Sequence, residues 1–151
     1  LSDSVRTLVR ETGYPGMKVL ELAFDSRDSG ASDYLPHRIG ERCVVYTGTH
    51  DNDTIQGWAA TAPPADVAFA RDYLKLGDRQ DWNWAMMDAA WESPAELAVM
   101  QAQDLLGLGH EARMNTPSTL GENWLWRLLP GELTEDLAQT VRERMARFGR
   151  L

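Results

Sequence analysis

Four polar side chains in a row, His50, Asp51, Asn52 and Asp53, follow a short β-branched run (Val44-Val45-Tyr46) and a small-residue turn (Thr47-Gly48-Thr49). A carboxylate at the end of a strand can bind sugar hydroxyls, move a proton or hold a metal. A histidine beside it can donate to a hydroxyl or to a developing oxyanion. Both are costly to bury without a partner, so a ligand is the natural partner. The bland alternatives are Asp51 as a helix cap and His50 bonded to backbone. With His50 and Asn52 on either side, the functional reading of Asp51 is preferred. Asp53 is the better cap, because Thr54 and Ile55 already begin a helical pattern. The spacing matches no standard zinc pattern and no thiolate joins it, so no metal and no cofactor are expected.

A second polar cluster runs from Asn115 to Asn123 (NTPSTLGEN). Asn115 can bond a ligand, or its own turn before Pro117. Trp124 and Trp126 can stack on a sugar face, although core packing is the commoner use of such residues. Tyr34 and His37, in a long polar loop, either line a cleft or belong to a loop anchored by its apolar residues. The Trp and Met residues between 82 and 91 read as core.

The elements that must position these groups follow from periodicity and stop signals. Ser2 or Ser4 can cap a first helix with Val5, Leu8 and Val9 on one face and Gly13 as its stop. Met17–Phe24 reads as a strand, Asp25–Glu41 as a long loop, and the run beginning at Cys43 as a buried strand of a parallel sheet. Helices are expected over Asp53–Ala60, Ala65–Leu76 and Gln80–Trp91. Ser93-Pro94-Ala95-Glu96 carries a capping-box pattern that predicts a further helix to about Leu106. Glu111–Asn115 is expected as a third short strand. A last helix starts at Thr134, with Leu137, Val141, Met145 and Phe148 on one face. Helices alternating with strands imply a parallel α/β architecture. Three strands cannot close an eight-stranded barrel, so they form a small open sheet or one end of a larger barrel.

The bulk composition narrows the class. The chain has 151 residues, 43% hydrophobic, with six tryptophans, enough for a real core. A net charge of −8 argues against a nucleic-acid groove and leaves neutral substrates such as sugars open. The single cysteine, Cys43, cannot form an internal disulfide and fits a reducing, cytoplasmic compartment. No apolar run approaches the roughly 20 residues of a membrane span, so no membrane partner is expected.

These pieces resemble one family, the amylomaltases or 4-α-glucanotransferases (disproportionating enzymes, glycoside hydrolase family 77). GYPGMKVLELAFD (Gly13–Asp25) is similar to its sixth-strand segment, and YLPH (Tyr34–His37) to the loop before its seventh strand. VVYTGTHDNDT is similar to its seventh-strand signature, and QDLLGLGHEARMNTPSTLGENWLWRL (Gln103–Leu128) to its eighth-strand region. The resemblance implies an α/β fold, the C-terminal part of a (β/α)8 TIM barrel: about its last three strands and their helices, spanning 1–151. It also implies transfer of α-1,4-glucan segments to the 4-hydroxyl of another glucan with retention, through an Asp nucleophile and an acid/base Glu. By the motif, Asp51 is the third carboxylate, which stabilises the transition state, and His50 and Asn115 bind substrate. The expected partners are α-1,4-glucans such as maltodextrin. The family's nucleophile and acid/base belong to its fourth and fifth strands, which these residues do not match. The chain is therefore expected to be a C-terminal piece, inactive alone, with the rest of the barrel upstream of Leu1. Ser118 stands where the family usually has Gly, and Leu22 where an aromatic is common. Two rival readings are a non-catalytic α-glucan-binding or interaction domain, and a metal-assisted hydrolase built on His50 and Asp51.

Overall fold

A computed structural model describes residues 2–28 and 30–151; Leu1, and Ser29 within the long loop, lie outside the described residues. The order is α1 (Asp3–Thr12), β1 (Gly16–Val19), β2 (Cys43–Tyr46), α2 (Ile55–Thr61), α3 (Pro64–Tyr73), α4 (Trp82–Glu92), β3 (Leu97–Val99), α5 (Ala102–Leu105) and α6 (Glu135–Arg147). The three strands form one parallel sheet in the order β1-β2-β3. Gly16 pairs with Cys43 and Val19 with Tyr46, while Val44 pairs with Leu97 and Tyr46 with Val99. The expected mixed architecture with a small parallel sheet is present.

β1 is shorter than the predicted Met17–Phe24. After Val19 the chain turns through a 3-10 segment, Leu20–Leu22. The turn drives Leu20, Ala23 and Phe24 into the core at 0%, 0% and 1% exposure, which a continuing two-residue alternation does not allow. Phe24 anchors an aromatic cluster with Trp58, Phe69 and Tyr73, its ring centroids 6.1, 5.9 and 5.6 Å away. Met86 and Met87 of α4 are fully buried, as their sequence pattern predicts. Leu35 and Ile39 pin the long loop to the same core.

Two predicted elements are corrected. The helix from Ser93 to Leu106 is not formed. Ser93 instead closes α4, its hydroxyl donating to the Ala90 carbonyl, and the Glu96 N–H that a capping box requires donates to the Glu41 carbonyl. Leu97–Val99 is then free to pair with β2, so the pairing overrides the local cap signal. The third strand therefore lies at Leu97–Val99, not at Glu111–Asn115. The latter segment begins as a 3-10 turn, His110–Ala112, and continues extended without joining the sheet. The last helix stands as predicted, with the Thr134 hydroxyl accepting from the Leu137 N–H.

Apolar surface is left uncovered on α1 (Val5, Leu8, Val9) and at the outer strands (Met17, Leu97, Val99). Among the described residues no helix is long and apolar enough to cross a membrane.

Candidate functional site

The site is built at the carboxyl end of β2. Thr47, fully buried, donates its hydroxyl to Asp104 Oδ2 at 2.7 Å, and Asp104 Oδ1 accepts the Ile55 N–H at 2.8 Å. One buried carboxylate thus clamps the strand end to the start of α2. Burial raises the Asp104 pKa above the ordinary carboxylate range, against the hydrogen bonds it receives. Between these clamps Asn52 makes a tight turn. Its Oδ1 accepts from the Thr49 N–H at 3.0 Å and from the Thr49 hydroxyl at 2.8 Å, while its own N–H donates to the Thr49 carbonyl. The turn leaves the side chains of His50 and Asp51 57% and 53% exposed.

Folding then adds what the local run lacks. Asn115, 64 positions further on, donates its amide to Asp51 Oδ1 at 2.7 Å. His50 Nε2 lies 3.4 Å from the same oxygen. Both contacts fall on Oδ1, leaving Oδ2 for a ligand hydroxyl. Arg113 fixes the pair from behind, donating to the Asp51 carbonyl at 2.7 Å and to the Asn115 carbonyl at 2.9 Å. The three predicted site residues are therefore brought together.

Trp124, which sequence preference assigns to the core, is half exposed, and its ring centroid lies 5.1 Å from that of His50. Its backbone is left-handed, with φ +66°, a costly conformation for an aromatic residue. Trp126 stays half-buried. A cleft of about 470 Å³ opens beside the cluster, lined by His110, Arg113, Thr116 and Asn123.

Other expectations resolve differently. Asp53 is not the helix cap: Thr54 is, its hydroxyl accepting from the Gly57 N–H at 3.0 Å. Asp53 is buried instead and holds His110 Nδ1 at 2.7 Å, with Arg113 at 4.0 Å. His37 bonds the Tyr73 hydroxyl at 2.7 Å and lines a separate cavity of about 430 Å³ with Tyr73, Lys75 and Asp88. Arg113, His110 and Asp104 carried no distinguishing signal in the sequence, because each acts through a partner at least 49 positions away. Among the described residues no group of three His, Cys, Asp or Glu side chains is arranged to hold a metal ion. A solvent-facing carboxylate flanked by an amide, an imidazole and an indole suits a neutral polyhydroxylated ligand. The carboxylate accepts from hydroxyls and the ring covers a C–H face.

Comparison with known proteins agrees with that chemistry. Residues 1–134 match the sequence profile of the family described as 4-alpha-glucanotransferase. A 4-alpha-glucanotransferase of Clostridium butyricum is 39% identical over 99% of this chain and 31% of its own length. That of Thermus thermophilus is 45% identical over 94% of this chain and 29% of its own. An amylomaltase from Streptococcus agalactiae, solved in complex with acarbose, superposes with a TM-score of 0.92 at 30% identity, covering 99% of this chain and 30% of that one. The chain thus spans under a third of the length of these relatives. It belongs to the 4-α-glucanotransferase family, glycoside hydrolase family 77.

Proposed function

We propose that these residues form the C-terminal part of a (β/α)8 barrel whose complete polypeptide is a cytoplasmic 4-α-glucanotransferase acting on α-1,4-glucans. The observation that carries the reading is the Asn115–Asp51–His50 cluster on the rim at the end of β2, with Trp124 beside it. The three-stranded parallel sheet and the uncovered α1 stripe support a barrel completed by further strands. In this reading the complete enzyme breaks an α-1,4 bond, holds the glycosyl unit on a carboxylate outside these residues, and passes it to another glucan's 4-hydroxyl with retention.

Asp51 accepts hydrogen bonds from ring hydroxyls. Those bonds strengthen as the ring flattens and becomes positive, so the carboxylate favours the transition state over the bound substrate. Asn115 holds the carboxylate in place, and His50 donates to the same sugar.

The complete polypeptide is expected to convert maltotriose into glucose and longer oligosaccharides, read by chromatography. Asp51→Asn is expected to lower kcat by about 100-fold or more, the scale of losing one preorganised electrostatic contact. The purified 151-residue chain is expected to transfer nothing. Wild-type turnover by the Asn variant, or transfer by the 151 residues alone, would contradict the assignment. Maltooligosaccharide binding without turnover by the complete polypeptide would favour a non-catalytic glucan-binding domain.

A further inference from the structure

Glu21 is a buried acid that the mechanism above does not use. It lies in the 3-10 turn that follows β1, on the same rim as Asp51, and is 8% exposed. Its backbone N–H donates to the Thr47 carbonyl at 3.2 Å, which ties it to the end of β2. Its Oε1 has no hydrogen-bond partner among the described residues. That oxygen sits over Gly48: a Cβ there would lie 2.8 Å from Glu21 Oε1 and 2.7 Å from Gln101 Nε2. A side chain at Gly48 would displace the Glu21 carboxyl or the Gln101 amide.

Donor and acceptor bookkeeping links this carboxyl to the site. The Thr49 N–H can only donate, so it fixes Asn52 with Oδ1 toward Thr49. The Asn52 amide NH₂ is left for another acceptor. Asn52 and the Glu21 carboxyl both pack against Gly48: a Cβ there would lie 3.3 Å from Asn52 Cβ and 2.8 Å from Glu21 Oε1. Asn52 also works against the upward shift of the Glu21 pKa. The Thr49 hydroxyl, held by Asn52 Oδ1, in turn lies 3.4 Å from the Asp51 N–H.

We propose, on the transferase reading, that Glu21 is a positioning residue of the glucan site: packed over Gly48, its carboxyl orients Asn52, and Asn52 sets the turn that presents His50 and Asp51. This role needs an acceptor oxygen at this place, and burial disfavours a charge there. The facing groups are Asp104 from α5, Asp53 from the turn after β2, and Arg113. Burial first, then the two carboxylates, pushes the Glu21 pKa up to about 9, with Arg113 and Asn52 opposing. Glu21 is therefore a neutral acid at neutral pH, its ionisation opposed by burial and by the neighbouring Asp104 and Asp53.

The test compares wild type, Glu21→Gln and Glu21→Met in the complete polypeptide, using maltotriose. Gln keeps the acceptor oxygen and Met keeps only the shape. Met is expected to lower kcat by about 10- to 100-fold with KM nearly unchanged, the cost of a slightly misplaced transition-state contact. Gln is expected to restore kcat at neutral pH and to lack the fall in activity expected of wild type as pH rises through about 9. Infrared difference spectra should show a protonated-carboxyl band in wild type at neutral pH that is missing from Gln. Wild-type kcat in Met, a Gln variant as slow as Met, or no such band would overturn the proposal. If Met does not fold, the Gln pH profile and the band decide it. A wild-type protein that binds glucan without transfer overturns the transferase reading instead, and maltooligosaccharide affinity across the three proteins then decides the positioning role.

Discussion

Asp51 shows how little of a site one residue carries. Its type and place after a strand suggest chemistry, but its working geometry comes from Asn115, His50 and the Arg113 clamp. A hydrogen bond to a charged group is worth about 1.5–3 kcal/mol when buried, and less when solvent competes. Asp51 is half exposed, so the lower end applies. Asn115→Ala is thus expected to reduce kcat/KM for maltotriose in the complete polypeptide by about 10-fold, each 1.36 kcal/mol being a factor of ten. An unchanged kcat/KM would show that the Asn115–Asp51 bond does not orient the carboxylate. Trp124 makes the complementary point: its left-handed backbone is held by a bond from its N–H to the Met114 carbonyl, and the strain is stored where the ring meets His50.

Among the elements, α2 and β2 behave as one unit. The Asp104 carboxylate bridges Thr47 and the Ile55 N–H, and the Thr54 hydroxyl caps the same helix end. Thr54 is almost fully buried, so removal of its hydroxyl leaves the Gly57 N–H unpaired without water to replace it. Thr54→Ala is expected to cost about 1–2 kcal/mol of stability, the upper part of the range for lost N-caps, measured by urea titration. A change within error would mean that Asp104 alone holds the helix start. The Ser93 region is the counterexample. A strong capping pattern there is overruled because Leu97–Val99 gains a partner strand and Glu96 a carbonyl from a distant loop.

The whole molecule sets the protonation of its buried acids. Glu21 has a folded pKa of about 9 against an ordinary value of 4.5. The folded state therefore binds the extra proton between these limits, and stability falls as pH rises through that window. The contribution is full below about pH 4.5 and lost by about pH 9. Glu21→Gln removes the titration, so its stability relative to wild type should grow between about pH 5 and about pH 8 in urea titrations. A pH-independent difference would place Glu21 ionised in the folded state. The apolar stripe of Val5, Leu8 and Val9 on α1, like the exposed outer strands, belongs to this scale, since it acquires meaning only from what packs beyond it.

Local signals in the sequence were enough to determine the parallel α/β class, β2, a helix within 80–91, a last helix from Thr134, and the polar run at 50–53. Each rests on neighbours within one or two turns of chain: a β-branched run, a glycine stop, a cap hydroxyl. Only the tertiary structure decided that Leu97–Val99 is a strand, that Thr54 rather than Asp53 caps α2, and that Asn115 meets Asp51. It alone showed Glu21 as a buried acid over Gly48. Strand pairing, long-range hydrogen bonds and burial depend on groups tens of residues apart, and a local pattern holds no information about which distant donor or strand edge will arrive.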